Sequence, residues 1–150
     1  MIRRATPEDA PAIHALKLAA FGPYRERYTP ACFDATVLDD GRIQDRMAEG
    51  PVWVWDDGDI QGTVGARRDQ RGLYVRGMAV HPDAQGKGIG KALLDACRNY
   101  AVDQEIPCMW LSTTLFLDAS ARLYERYGFR PSHGPAQLEG TDLRSYECSV

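Results

Sequence analysis

From Ile89 onward the apolar positions keep helical time without a miss: Ile89, Ala92, Leu93, Ala96, Cys97, Tyr100 and Ala101 recur at i, i+3, i+4, i+7 and i+8. That spacing predicts a helix opening at Gly88 with one buried face. Ahead of it, Leu73 to Val80 reads as a long apolar strand closed by His81-Pro82. Val52-Trp53-Val54-Trp55 and Ile60 to Arg67 read as a hairpin turned near Asp57-Gly58. After Pro107, Cys108 to Thr113 reads as a buried strand, and about Asp118 to Tyr127 as a shorter helix stopped by Gly128. Phe129 begins a strand, and Leu143 to Ser149 forms the last. At the front, Ile2 to Ala5 is a short strand. Thr6, Pro7 and Asp9 then mark the start of a helix carrying Ile13, Leu16 and Ala20, which Gly22-Pro23 stops. Residues from about Pro30 to Met47 read as a second, less regular helix. The order β-α-α-β-β-β-α-β-α-β-β is an α/β (α+β) fold on a mixed sheet of about six to seven strands, antiparallel early with crossover helices late. No linker, repeat or low-complexity segment interrupts residues 1–150, which read as one domain.

Charge and composition narrow the classes. The net charge of −3 gives no cationic field for nucleic acid or anionic lipid. Apolar runs fall far short of the ~20 residues that a membrane span needs. Met1 to Asp9 lacks the apolar stretch of a secretory signal. Cys32, Cys97, Cys108 and Cys148 include no C-x-x-C pair and no histidine at ligand spacing, which argues against structural zinc and against a disulfide scaffold. Reduced thiols, no metal and a cytoplasmic location are the expectations. Arg67, Arg68 and Arg71, the densest basic run, read as a solvated strand end.

The stretch from Val80 to Lys91 carries the chemistry. A strand ends, a loop with Gly86, Gly88 and Gly90 follows, and the strongest predicted helix starts there. Free amides at a helix N-terminus together with its dipole make an anion site, and glycines let backbone approach phosphate oxygens. A Walker loop needs Ser or Thr after Gly-Lys, whereas Gly88 follows Gly86-Lys87. A dinucleotide fingerprint needs Gly or Ala three residues after its second glycine, where Lys91 or Leu93 stands. Both fail, and a Gln-x-x-Gly-x-Gly run of Gln85, Gly88 and Gly90 remains.

That run resembles the pyrophosphate loop of the GNAT superfamily of N-acetyltransferases. Arg76 to Pro82 matches the strand before that loop, Leu123-Tyr124-Glu125-Arg126-Tyr127-Gly128-Phe129 matches a Leu-Tyr-x-x-x-Gly-Phe segment, and Ile2 to Thr6 resembles the opening strand. The resemblance covers essentially the whole chain. It implies acetyl-CoA as cosubstrate, lying in a gap between the fourth and fifth strands. Backbone groups of Met78 and Val80 would pair with the pantetheine arm, and an N–H near Ala79 would stabilise the oxyanion. Amides of Gln85, Gly86, Lys87, Gly88, Ile89, Gly90 and Lys91 would hold the pyrophosphate, with Lys87 and Lys91, two of three lysines, beside it. Tyr124 would stand near the thioester sulfur as proton or hydrogen-bond donor to the departing thiolate; without the resemblance it reads as core.

Two departures stand out. Leu117 occupies the position where many members carry an asparagine, and Tyr74 and Val75 occupy the region where some carry a glutamate base. An amine of pKa ~10 is about one part in a thousand neutral at pH 7, a cost of roughly 4 kcal/mol that a base would offset. Water relays, Glu26 or an acceptor of lower pKa are the alternatives. Glu26 reads as an ion-paired surface residue, His14 as solvated, His81 as structural, and His133 as part of a loop that could border the acceptor. The implied reaction is direct attack by an amine of a small molecule or peptide on acetyl-CoA in a ternary complex. A non-catalytic acyl-CoA-binding regulatory domain of the same fold is the alternative, and a homodimer is compatible with either. The acceptor region is expected from about Phe21 to Met47 and around Pro131 to Gln137, with Phe21, Tyr24, Tyr28 and Phe33 as candidate lining.

Overall fold

A computed structural model describes residues 1–150. Its strands are β1 (Ile2–Arg4), β2 (Val52–Asp56), β3 (Ile60–Arg68), β4 (Leu73–Val80), β5 (Cys108–Thr114), β6 (Arg130–Ser132), β7 (Gln137–Leu138) and β8 (Thr141–Ser149). Its helices are α1 (Ala10–Phe21), α2 (Pro30–Val37), α3 (Asp40–Glu49), α4 (Ile89–Asp103) and α5 (Asp118–Tyr127). The sheet runs β1-β2-β3-β4-β5-β8-β6, with β7 added on β8. β4 and β5 are its parallel pair, and every other pairing is antiparallel. The predicted mixed sheet is present, with one strand and one helix more than the pattern gave.

The extra helix comes from a break that periodicity cannot see. Leu38 adopts φ +62, and the Asp39 carboxylate accepts from Arg42 N at 2.9 Å, so α3 starts afresh where one helix was expected. Thr6 and Asp9 cap a single 3-10 turn, and α1 begins after it. No helix is long and apolar enough to cross a membrane.

Helices cover the sheet on both faces. Leu93, Leu94, Cys97 and Ala101 of α4 pack with Val75, Met109 and Leu111 in the larger core. On the opposite face α1 and α2 bury Leu16, Phe21, Cys32, Phe33 and Val37 against Ala79. Val52, Trp53 and Val54 are all buried because β2 has a helix on each side. Two sequence expectations change here. His14 is half-buried, with Nδ1 2.6 Å from the Leu38 carbonyl, rather than solvated. Arg71 is not solvated either: it lies over the Trp110 ring and donates to Ser132, His133 and Glu147.

Candidate active site

β4 and β5 pair only where they begin, Leu73 with Met109 and Tyr74 with Trp110. Further along, β5 follows β8 while β4 follows β3. The two strands therefore part, and one edge of β4 is left without a partner. A bulge contributes to the divergence. Gly65 pairs with Arg76 and Thr63 with Ala79, so Gly77 and Met78 together oppose Val64. Gly77 takes φ +67 there, a conformation that costs glycine little.

The β3 ladder decides which backbone groups stay free. His81 N donates to Gln61 O at 2.8 Å. Alternation along an antiparallel pair then turns the amide and carbonyl of Ala79 toward β3, and those of Met78 and Val80 into the gap. The Ala79 N–H thus faces β3, and the free N–H groups near Ala79 are those of Met78 and Val80.

The gap widens into a cleft of about 900 Å³, at the large end for small-molecule sites. Of the expected cofactor residues, Met78, Ala79, Val80, Gln85, Gly86, Gly88, Ile89, Gly90 and Lys91 line it. Lys87 does not; it is exposed beside the loop. His81 holds the loop's first turn, its Nδ1 accepting from Asp83 N at 3.1 Å, which agrees with a structural role. Gly86 and Gly88 both adopt φ +81 with open space where a Cβ would stand. The first helical bond at this end runs from Ala92 N to Gly88 O, so the opening amides of α4 lack intrahelical acceptors. Gly90 has a different task. A Cβ there would lie 2.6 Å from Leu123 Cδ2, so this glycine lets α4 and α5 approach.

Sequence reasoning missed several wall residues. Asp95, Arg98, Arg126 and Tyr127 line the cleft together with Lys91. Lys91, Asp95 and Arg98 share one face of α4 by helical spacing, and that was the available signal. The Asp95 carboxylate accepts from Tyr127 Oη at 2.7 Å and from Lys91 Nζ at 3.1 Å. Partial burial raises the Asp95 carboxyl, but those two donors outweigh it and hold the group below its ordinary value.

Tyr124 is 6% exposed, edge-on to Phe129 and tilted against Tyr146. Its hydroxyl is kept protonated well above the usual phenol range by burial first, then by Cys97 and Tyr146. It lies in the core, whereas its neighbours Leu123 and Tyr127 form the cleft wall. Leu117 lines the cleft where an asparagine was missed. On the α1 side Phe21 and Tyr24 line it, while Tyr28 and Phe33 are core. Glu26 is exposed without an ion pair. Its neighbours Arg25 and Arg27 lie over Phe33 and Phe116, which leaves the expected surface pair unmade. His133 is exposed, with Nδ1 3.4 Å from Ser132 Oγ. The structure contains no cluster of three or more metal-ligating side chains.

The fold is shared with solved structures over the full chain. PaiA N-acetyltransferase from Thermoplasma acidophilum, solved in complex with coenzyme A, is 14% identical and superimposes with a TM-score of 0.83 over 100% of this chain and 98% of that one. The structure of yncA from Salmonella typhimurium with its cofactor acetyl-CoA is 21% identical, with a TM-score of 0.73 over 99% and 92%. A curated mouse relative, named Probable N-acetyltransferase family 8 member 5, is 30% identical over 124 residues. That alignment takes in 77% of this chain, which spans about half of the relative's length (53%). The family model for the acetyltransferase (GNAT) family matches residues 12–129, a span that contains the parted strands, the glycine loop and both helices of the cleft. The chain belongs to the GNAT family of acetyltransferases.

Proposed function

We propose that the protein is an acetyl-CoA-dependent N-acetyltransferase that moves the acetyl group to an amine by direct attack in a ternary complex. The observation that carries this reading is the unpaired edge of β4, running straight into the open amides at the start of α4. An extended amide-bearing arm can add to such an edge as a strand does. The residues fit acetyl-CoA in kind. Met78 and Val80 offer backbone donors and acceptors to the pantetheine, and Gly86 and Gly88 leave room for phosphate oxygens. Lys91, Arg98 and Arg126 supply cationic charge nearby. When bound, acetyl-CoA supplies an acetyl group activated as a thioester.

The chain's own residues position and polarise. The Met78 or Val80 N–H, facing the gap, is the oxyanion donor in this reading. Tyr124 acts as hydrogen-bond donor to the departing thiolate, since its raised pKa makes full proton transfer unfavourable. No dedicated base is assigned. Asp95, the acid of the cleft wall, is already held by Tyr127 and Lys91, so the acceptor amine loses its proton to water. The acceptor is a small molecule or peptide, approached from the side of Phe21 and Tyr24.

Purified protein incubated with acetyl-CoA and an amine panel tests this by release of free thiol. The expected kcat/KM rises with pH at a logarithmic slope near one, up to the pKa of each free amine. Acetyl-CoA binding without thiol release across the panel would support the non-catalytic alternative, which the core position of Tyr124 favours. A common plateau for amines of different basicity would mean that an enzyme group titrates.

A further inference from the structure

The cleft has two walls of opposite character. Its charged lining, Lys91, Asp95, Arg98 and Arg126, comes entirely from α4 and the last turn of α5. Toward α1 the lining is Ala20, Phe21, Tyr24 and Leu117, with no charged group among them. Phe21 shares a core cluster with Ala79, and Ala20, Tyr24 and Leu117 pack against that cluster. Ala79 stands between Met78 and Val80, so this apolar end adjoins the open edge of β4. The charges nearby in sequence do not reach it. Arg25 and Arg27 lie over Phe33 and Phe116, and Glu26 is not part of the lining. Lys17, Arg46 and Arg76 line a separate hollow of about 20 Å³ that shares no residue with the cleft. Asp95, the one acid of the lining, is held by Lys91 and Tyr127. A charge carried into the apolar end would lose water and meet no counter-charge, whereas an apolar body gains by leaving water. The same surroundings disfavour an ammonium and favour the neutral amine, which is the form that attacks. That preference offsets part of the cost of having no dedicated base.

We propose that the acceptor is a monoamine with a compact apolar body, an arylalkylamine in class, seated against Phe21, Tyr24 and Leu117. The proposal rests on the reading of the chain as an amine acetyltransferase. Phosphate charge is then served by the α4 wall, the thioester lies near Met78, and the acceptor's body fills the apolar end. Acceptors with a second charge, diamines and amino acids alike, are disfavoured because that charge would be buried without a partner.

Counted per neutral amine, kcat/KM with acetyl-CoA should be about 10-fold or more higher for 2-phenylethylamine than for 1,4-diaminobutane or β-alanine. Leu117 is the N-cap of α5 and makes no side-chain cap, so Leu117→Asp suits the fold while bringing a negative charge to the apolar end. That variant should lose about 10-fold or more on 2-phenylethylamine and gain on 1,4-diaminobutane. Binding reads the same seat without turnover. Calorimetry on the protein with CoA should find N-(2-phenylethyl)acetamide about 10-fold or more tighter than N-acetyl-1,4-diaminobutane, and Tyr24→Ala should narrow that gap. An absent or reversed preference for the phenyl compounds overturns the proposal. Variants that weaken acetyl-CoA binding but leave amine selectivity intact also overturn it, because the apolar end would then serve the cofactor. Acetyl-CoA binding with no thiol release from any amine would instead defeat the underlying reading, so the two failures are distinguishable.

Discussion

Tyr124 and Lys17 show how burial sets what a single side chain can do. Both are enclosed, and enclosure disfavours the charged form of each. For Tyr124 this means a hydroxyl that stays protonated, the form the proposed reaction needs in a hydrogen-bond donor to the thiolate. Tyr124→Phe should cut kcat about 10- to 100-fold with little change in KM for acetyl-CoA, the pattern of a group acting mainly in the transition state. Steady-state kinetics checks it, and an unchanged kcat would leave Tyr124 with a packing role alone. For Lys17, burial first and then Arg46 and Arg76 push the ammonium down to about 7 from 10.5. The unfolded chain then binds a proton that the folded chain lacks between those values, so stability rises with pH across that window. The penalty is fully present below pH 7, on the order of 5 kcal/mol, and fades toward pH 10.5. Denaturant titrations at pH 6 and pH 9 should show wild type gaining on Lys17→Met at the higher pH. A constant difference would mean that Lys17 is solvated in the folded state.

At the scale of elements, two glycines in one loop do separate jobs. Gly88 holds a left-handed turn over open space, while Gly90 holds a helix contact against Leu123. Gly88→Val forces a β-branched residue into a conformation costing about 1–3 kcal/mol and disturbs the loop proposed to hold the pyrophosphate. Acetyl-CoA affinity should fall about 10-fold or more, with thermal stability lowered only modestly. Gly90→Ala should do the reverse, losing stability through α4 and α5, and Leu123→Ala should recover part of the loss. Calorimetry and thermal melts on the same samples separate the two, and equal effects would contradict the division of labour. The sequence made the α4 helix and its loop legible because Ile89 to Ala101 repeats strictly and the glycine spacing excludes other phosphate loops. It did not reveal that Gly90 faces Leu123, since that depends on how α5 folds back. Nor did it show the break at Leu38, where no glycine or proline marks the left-handed residue.

Across the whole molecule, the site exists because one sheet divides. The parallel start of β4 and β5, the bulge at Gly77 and the continuation of β5 along β8 leave an open edge that points at the α4 N-terminus. The glycine loop and the start of α4 in this arrangement were readable from local motifs. The cluster of Lys17, Arg46 and Arg76 was not, because its members come from α1, α3 and β4 and meet only in three dimensions. Lys17 shares the apolar face of α1 with Ile13 and Phe21, but which groups surround its charge depends on where α3 and β4 lie. The most direct measurement of the central claim is residue-resolved amide hydrogen exchange with and without acetyl-CoA. The account predicts slower exchange at Met78 and Val80 and at the amides from Gly86 to Lys91, with Ala79 already protected in the free protein. Binding that leaves Met78, Val80 and the loop amides exchanging as before would contradict it.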